Sequence, residues 1–218
     1  NPFPRADLFA GMPSTVVHVG FALLAAAAVL GAGFDRRSAA VIASFAVLPD
    51  VDTFLGLVFV GAHRAYLHNL VLPLAAVGVL VWDGRRRGYL GARYGEDTYR
   101  LVVLGVVVGW LVAGVLLDGF YNGVNLLFPI HDRFVDLSGH LYITDQRGVV
   151  QTFLSFDGFS VADSDTIGTT ADTHYYTGVD PGPDAPEDVE RIFPIFDEGT
   201  LAVVAVTGYA VAAYRLRD

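Results

Sequence analysis

The stretch Leu101–Leu117, LVVLGVVVGWLVAGVLL, decides the fold class, because no helical projection gives it a polar face. A helix on a soluble surface keeps one polar stripe for water, whereas a helix apolar all round lies in a core or a bilayer. Four other stretches behave alike. Thr15–Gly33 (TVVHVGFALLAAAAVLGAG) comes first. Ala39–Leu48 is second and runs through the polar break Pro49-Asp50-Val51-Asp52 into Thr53–Ala62. Leu67–Trp82 is third, Leu101–Leu117 fourth, and Leu201–Tyr214, lengthened by Phe193–Phe196, is fifth. A bilayer core takes about 20 mainly apolar residues per helix, with roughly 17 to 25 tolerated. The expectation is therefore a mainly α, polytopic membrane protein with about five transmembrane helices. The first segment is no ordinary signal peptide, since it lacks a basic region before it and runs on into another apolar stretch. Met12-Pro13, immediately before it, reads as a natural start.

Composition agrees. Of 218 residues 53% are apolar and only 17% charged, against about 25% charged in a soluble domain, and the mean hydropathy is +0.48. There are 23 acidic and 14 basic residues, a net −9, and every basic residue is Arg. No Lys, 19 Asp and one Met is the composition of a halophile's protein, whose carboxylates hold water against concentrated salt. Acidic balance speaks to solubility rather than fold, but it argues against a nucleic-acid partner, which needs a basic stripe. The absence of Cys removes disulfides, iron–sulfur clusters, cysteine nucleophiles and thiolate metal sites. Any metal must sit on His and carboxylate.

Arg placement sets the expected orientation. Arg36 and Arg37 lie between segments one and two, Arg85, Arg86, Arg87, Arg93 and Arg100 between three and four, and Arg215 and Arg217 after five. In a five-pass chain all share one side, which puts the N-terminus outside and the C-terminus in the cytoplasm; Arg5 and Arg64 are the outside exceptions among the helical parts. Residues 1–130 would carry the first four helices, 131–198 an outer module, and 199–218 the last helix and tail. His131–Glu198 holds 14 acids and three Arg, a net −11. Within it Leu141–Thr144 and Val149–Phe156 read as strands about a turn at Asp145–Gly148, and Gly178–Glu190 as loop. The module is expected to be small and mostly β.

Ionisable residues in or beside membrane helices are costly and mark functional sites. Here they are His18, Asp50, Asp52, His63, His68 and Asp118. With the orientation taken from Arg alone, all six fall at one depth on the outer side. Three His and three Asp suit a divalent ion such as zinc, manganese or magnesium. His63 and His68 would diverge by about 140° on a straight helix, so they converge only across a turn, or one of them is not a ligand. Competing roles exist for each residue singly: a hydrogen-bonded His18, Asp50 or Asp52 as a cap at a helix break, Arg64 ion-paired to either Asp. If helix continues past Asp118, Asn122 and Asn125 share its face. His131, Asp132 and His140 are weaker candidates, because polar residues are ordinary in a polar module, and His174 is expected at the surface.

The order Met12-Pro13…His18, Leu48-Pro49-Asp50-Val51-Asp52, then His63-Arg64…His68 resembles the membrane-bound metal-dependent hydrolases, the LexA-binding, inner-membrane-associated type. Asp118…Gly123…Leu126-Leu127-Phe128-Pro129 is similar to a later motif of that family, and the likeness covers about Met12–Pro129. It implies that His18, Asp50, Asp52, His63, His68 and Asp118 are metal ligands. Two positions depart from the family pattern: Gly114 stands where it often has His, and Asn69 where Ser is common.

The function expected is a metal-dependent membrane hydrolase working at the outer face on a phosphoester of a lipid or lipid-linked substrate. A bound ion would activate water, Asp50 or Asp52 would act as general base, and Arg64 would stabilise the developing anion. The alternative is a non-catalytic membrane subunit whose acidic module docks another membrane protein or an envelope component. A transporter is less favoured, because the polar residues cluster at one face and no inverted repeat is evident.

Overall fold

The computed structural model describes residues 13–217 except 122, 140, 153–154, 158–159, 163–165 and 183–184. Arg5, Met12, Asn122 and His140 therefore lie outside the described residues. The helices are α1 (Thr15–Leu30), α2 (Arg36–Val47), α3 (Val71–Arg86), α4 (Tyr89–Tyr94), α5 (Glu96–Leu104), α6 (Leu117–Gly119) and α7 (Gly199–Arg215). Between α5 and α6, Gly105–Leu116 is wound as a π-helix, so Glu96–Gly119 is one helical run of 24 residues. The π winding (i→i+5) is rare and usually lasts a single turn.

The five-pass expectation is overturned. Among the described residues two helices are long and apolar enough to cross a membrane, Thr15–Gly33 and Glu96–Gly119. The others are shorter: α2 has 12 residues, α3 16 and α7, at the bottom of the tolerated range, 17. At about 1.5 Å per residue they reach roughly 18, 24 and 26 Å, short of a core of about 30 Å.

Local chemistry sets those lengths. Asp35 caps α2 through a reciprocal box with Ser38, and α2 stops before Pro49, which opens a 3-10 turn over Pro49–Phe54. Thr53–Ala62, expected to prolong the second segment, runs as turns. Asn69 delays α3 to Val71: its amide donates to the Ala65 and Tyr66 carbonyls and its oxygen accepts from the Leu72 N–H at 2.9 Å. Phe193–Phe196 does not extend α7, which begins at Gly199.

Small residues bring the helices close. A Cβ on Gly208 of α7 would fall 1.8 Å from the Gly20 carbonyl oxygen of α1, and a Cβ on Gly20 2.7 Å from Ala205 Cα. Close backbone approach through Gly and Ala is the packing that apolar helices use. On the other flank α2 and α1 bury Ile42, Ala46, Ala22 and Ala26 against Val108 and Ala113 of the π segment.

The stretch from 131 to 198 forms antiparallel ribbons rather than one sheet. β1 (Phe134–Val135) pairs with β6 (Thr166–Gly168), β2 (Leu141–Thr144) with β3 (Gly148–Gln151), and β4 (Ser155–Asp157) with β5 (Ser160–Ala162). The turn expected at 145–148 joins β2 to β3; the Thr144 hydroxyl accepts from the Gln146 and Arg147 N–H groups, and Gly148 takes φ +69°. The expected strand Val149–Phe156 is divided between β3 and β4.

Candidate metal centre

Four side chains from four places converge. His18 lies in the first turn of α1, Asp50 on the 3-10 turn, His68 in the turns before α3, and Asp118 on α6 just beyond the π winding. His18 Nε2 is 3.3 Å from Asp118 Oδ1 and 3.9 Å from Asp50 Oδ1. His68 Nε2 is 3.3 Å from Asp50 Oδ1 and 3.1 Å from Asp118 Oδ2. A tetrahedral ion with ligand bonds of about 2.0–2.2 Å separates its ligands by about 3.3–3.6 Å. The observed spacings bracket that value.

Hydrogen bonding fixes which nitrogen is free. His18 Nδ1 lies 2.6 Å from the Ala113 carbonyl, so in the neutral ring it donates and Nε2 carries the lone pair. His68 Nδ1 lies 3.0 Å from Asp52 Oδ2, with the same result. Both Nε2 atoms and Asp118 Oδ1 are buried with no hydrogen-bond partner. Bare buried acceptors are expensive, and an ion would satisfy all three together. These buried His and Asp groups could hold a metal ion.

Asp50 and Asp52 belong to different groups of donors. A 3-10 turn advances about 120° per residue, so Asp50 and Asp52, two apart, face different ways. Asp50 faces the four-donor cluster. Asp52 is buried behind it, with Oδ1 2.8 Å from His63 Nδ1 and Oδ2 accepting from His68 Nδ1 and the Leu67 N–H. Asp52, His63 and His68 are also close enough to hold an ion, but His68 offers Nε2 to the first cluster only while Nδ1 keeps its proton. The arrangement is a carboxylate orienting two imidazoles, as metal sites commonly have. Burial opposes ionisation of Asp52, yet His68 and His63 hold its carboxyl well below the usual range. It is thus neither a free general base nor a ligand of the four-donor cluster.

His63 and His68 meet across a turn, their rings edge to face at 5.3 Å. The turn passes through Arg64 at φ +65°, a backbone region rare outside glycine that clusters at functional sites. The Arg64 guanidinium is buried: Nη1 donates to the Gly123 carbonyl at 2.9 Å, Nη2 is 3.4 Å from Asp118 Oδ1, and the group lies over the Tyr175 ring. Arg64 holds Asp118 and does not border the cleft, which moves it from the expected anion-stabilising role to a positioning one.

Beside the cluster is a cleft of about 450 Å³. Asp50 and His63 reach it from the centre; Thr15 and Val16 of α1, Val47 of α2, and Val51 and Phe54 line it from the helical half. Its opposite wall is Tyr176–Val179 and Phe193–Ile195, all from the acidic stretch. The Ser14 hydroxyl donates to the Ile195 carbonyl at 2.6 Å, and the Thr53 and Thr177 hydroxyls bond at 2.8 Å, fastening the two walls. Sequence reasoning missed this wall, and it missed Thr15, whose hydroxyl donates to Asp50 Oδ2. The signal for Thr15 was present: it sits three residues before His18, on the same helical face.

The weaker candidates fall elsewhere. Asn125 does not share a helical face with Asp118, since the chain leaves the helix after Gly119; its amide donates to Asp132 and its oxygen accepts from the Arg133 N–H. Asp132 also ties down Thr170, and His131 is exposed. His174, expected at the surface, is half-buried 3.3 Å from Asp180. At position 114 a Cβ would meet Pro49 Cγ at 2.5 Å, so the Pro49 ring occupies the space of a larger side chain. The four donors assemble without it.

Comparison with family models, with curated proteins and with solved structures found no match.

Proposed function

We propose that the chain is a metal-dependent hydrolase working at a membrane face on a phosphoester of a lipid or lipid-linked molecule. The observation that carries this reading is the four-donor cluster of His18, Asp50, His68 and Asp118, with unpartnered Nε2 atoms, opening through Asp50 onto an apolar cleft. The mixed nitrogen and oxygen donors favour zinc, with manganese or magnesium next. When bound, such an ion supplies a Lewis acid and lowers the pKa of its water.

The chain's own groups do the rest. Thr15 and Arg64 hold Asp50 and Asp118 in place. His63, its Nδ1 against Asp52, borders the cleft and is the imidazole placed to pass a proton to or from a substrate oxygen. The resemblance to membrane-bound metal-dependent hydrolases supports the same chemistry. Both membrane-competent helices have the cluster at one end and Arg at the other: His18 against Arg36 and Arg37, Asp118 against Arg93 and Arg100. That polarity favours a site at the outer face.

Metal content of the purified chain is the test. About one equivalent of ion should be retained, lost in His68→Ala, and needed for cleavage of a phospholipid; folded protein that binds no ion sinks the reading. A second reading, a non-catalytic subunit docking a partner, is favoured by one observation. Leu141, Ile143 and Val149 are all exposed, and Ile143 pairs directly with Val149 across the β2–β3 hairpin. Exposed apolar patches mark interaction surfaces.

A further inference from the structure

The cleft is the wrong shape of chemistry for a soluble, highly charged substrate. Among the described residues its lining contains no Arg, and its titratable side chains there are Asp50, His63 and Tyr176. A free nucleotide or sugar phosphate needs cations and several hydrogen-bonding groups. This cleft offers instead apolar side chains that stand open to it: Phe54, Phe193 and Ile195 are 57%, 64% and 59% exposed. Open apolar surface costs roughly 25 cal/mol per Å² unless something covers it.

We infer that the cleft seats one acyl chain of the substrate, with the bond to be cut lying at Asp50 and His63. This rests on the hydrolase reading above and names its substrate class: an acyl-bearing lipid rather than a water-soluble phosphoester. Three observations converge on that occupant. The apolar lining comes from both halves of the molecule, and the Ser14–Ile195 and Thr53–Thr177 bonds fasten those halves together, as befits a largely preformed site. The polar end of the lining coincides with the metal cluster, because Asp50 belongs to both. Finally, Thr15 and Val16, which line the cleft, are the first residues of a helix apolar and long enough to enter a bilayer. A lipid therefore needs to move only from the side of α1 into the cleft to bring its ester to the donors.

The test uses the full chain in lipid nanodiscs doped with a phospholipid carrying a diazirine at the end of one acyl chain. After irradiation, adducts are mapped by peptide mass spectrometry and metal content is measured on the same sample. Adducts are expected on Val51, Phe54 and the Phe193–Ile195 segment. Val51→Trp and Val179→Trp, two fillings from opposite walls, should each lower them about fivefold or more, as loss of an enclosing pocket would. Labelling at Val29, exposed near the far end of α1, reports ordinary lipid contact and should not change. Adducts confined to Val29 and its neighbours, or cleft adducts indifferent to both fillings, overturn the inference. If metal is bound but the cleft is unlabelled, the acyl site fails while the hydrolase reading stands. If the cleft is labelled and no metal is present, the hydrolase reading fails while the acyl site stands.

Discussion

The helical half and the acidic stretch from 131 to 198 are built on opposite principles, and the cleft lies between them. The helical half is locked by glycine-mediated backbone contact at Gly20 and Gly208 and by an apolar core around Ile42 and Ala113. Most of its ionisable interior groups are gathered at one place, where they hold one another; Asp83, at the end of α3, lies apart. The acidic stretch has short ribbons, exposed apolar side chains and a small core of Phe134 and Tyr175 against Ala65. It is joined to the rest by scattered contacts: the Val124–Val135 backbone pair, Asn125 with Asp132 and Arg133, Arg64 over Tyr175, and, at the cleft, hydroxyl bonds such as Thr53–Thr177. Donor geometry thus comes from the rigid half, and the wall a ligand would meet comes from the loosely fastened one. Metal affinity and substrate affinity should accordingly be separable.

The largest effect should follow from breaking the rigid side. His68→Ala removes a donor and the link to Asp52 together, so metal affinity should fall at least about a hundredfold, read by titration with a competing chelator. The same titration on Ile143→Ser, in the β2–β3 hairpin, should show no change; a loss there would mean the two halves are not separable. Asp52→Asn keeps the shape but cannot accept from both imidazoles equally, and should cost about 10- to 100-fold in metal affinity.

Acidity sharpens the contrast next. Burial works against an imidazolium at His68, yet Asp52, with Asp118 and Asp50, pulls the metal-free residue well above the usual imidazole range. An entering ion must displace that proton, so binding weakens as pH falls, by about tenfold per unit for one proton. The slope should flatten only above the raised pKa. Calorimetric titrations in buffers of different ionisation enthalpy would show the released proton, and an affinity independent of pH would contradict this account.

The smallest effect belongs to the loose side. Thr177→Val loses the bond to Thr53 and the two that its hydroxyl accepts from the Val179 and Asp180 N–H groups, each worth about 1 kcal/mol. It should slacken the cleft wall, raising KM for a lipid substrate several-fold with metal content and kcat little altered.

What could be read beforehand divides along the same line. His18, Asp50, His68 and Asp118 could be picked out because an ionisable group in an apolar segment has few innocent explanations; the depth argument from Arg placement assumed five spans and falls with them. The number of spans was not legible, because hydropathy sees through Pro49 and Asn69 while the backbone does not: one opens a 3-10 turn and the other delays α3. The separate duties of Asp50 and Asp52 depend on that 3-10 winding, which no residue type announces. Phe193–Phe196 read as a helix extension because apolar aromatics suit a membrane segment as well as a cleft wall; only tertiary contact distinguishes them.

The π winding of Gly105–Leu116 carries one more consequence. Asp118 is delivered to His18 and His68 by twelve residues whose turns are wider than those of an α-helix, so its direction depends on how many residues precede it as well as on which. Deleting a single valine from Val106–Val108 alters no polar group, yet in α-helical winding it would rotate everything beyond by about 100°. This segment should therefore tolerate exchange among Val, Leu and Ile far better than any change of length, and insertions or deletions there should be harsher than substitutions.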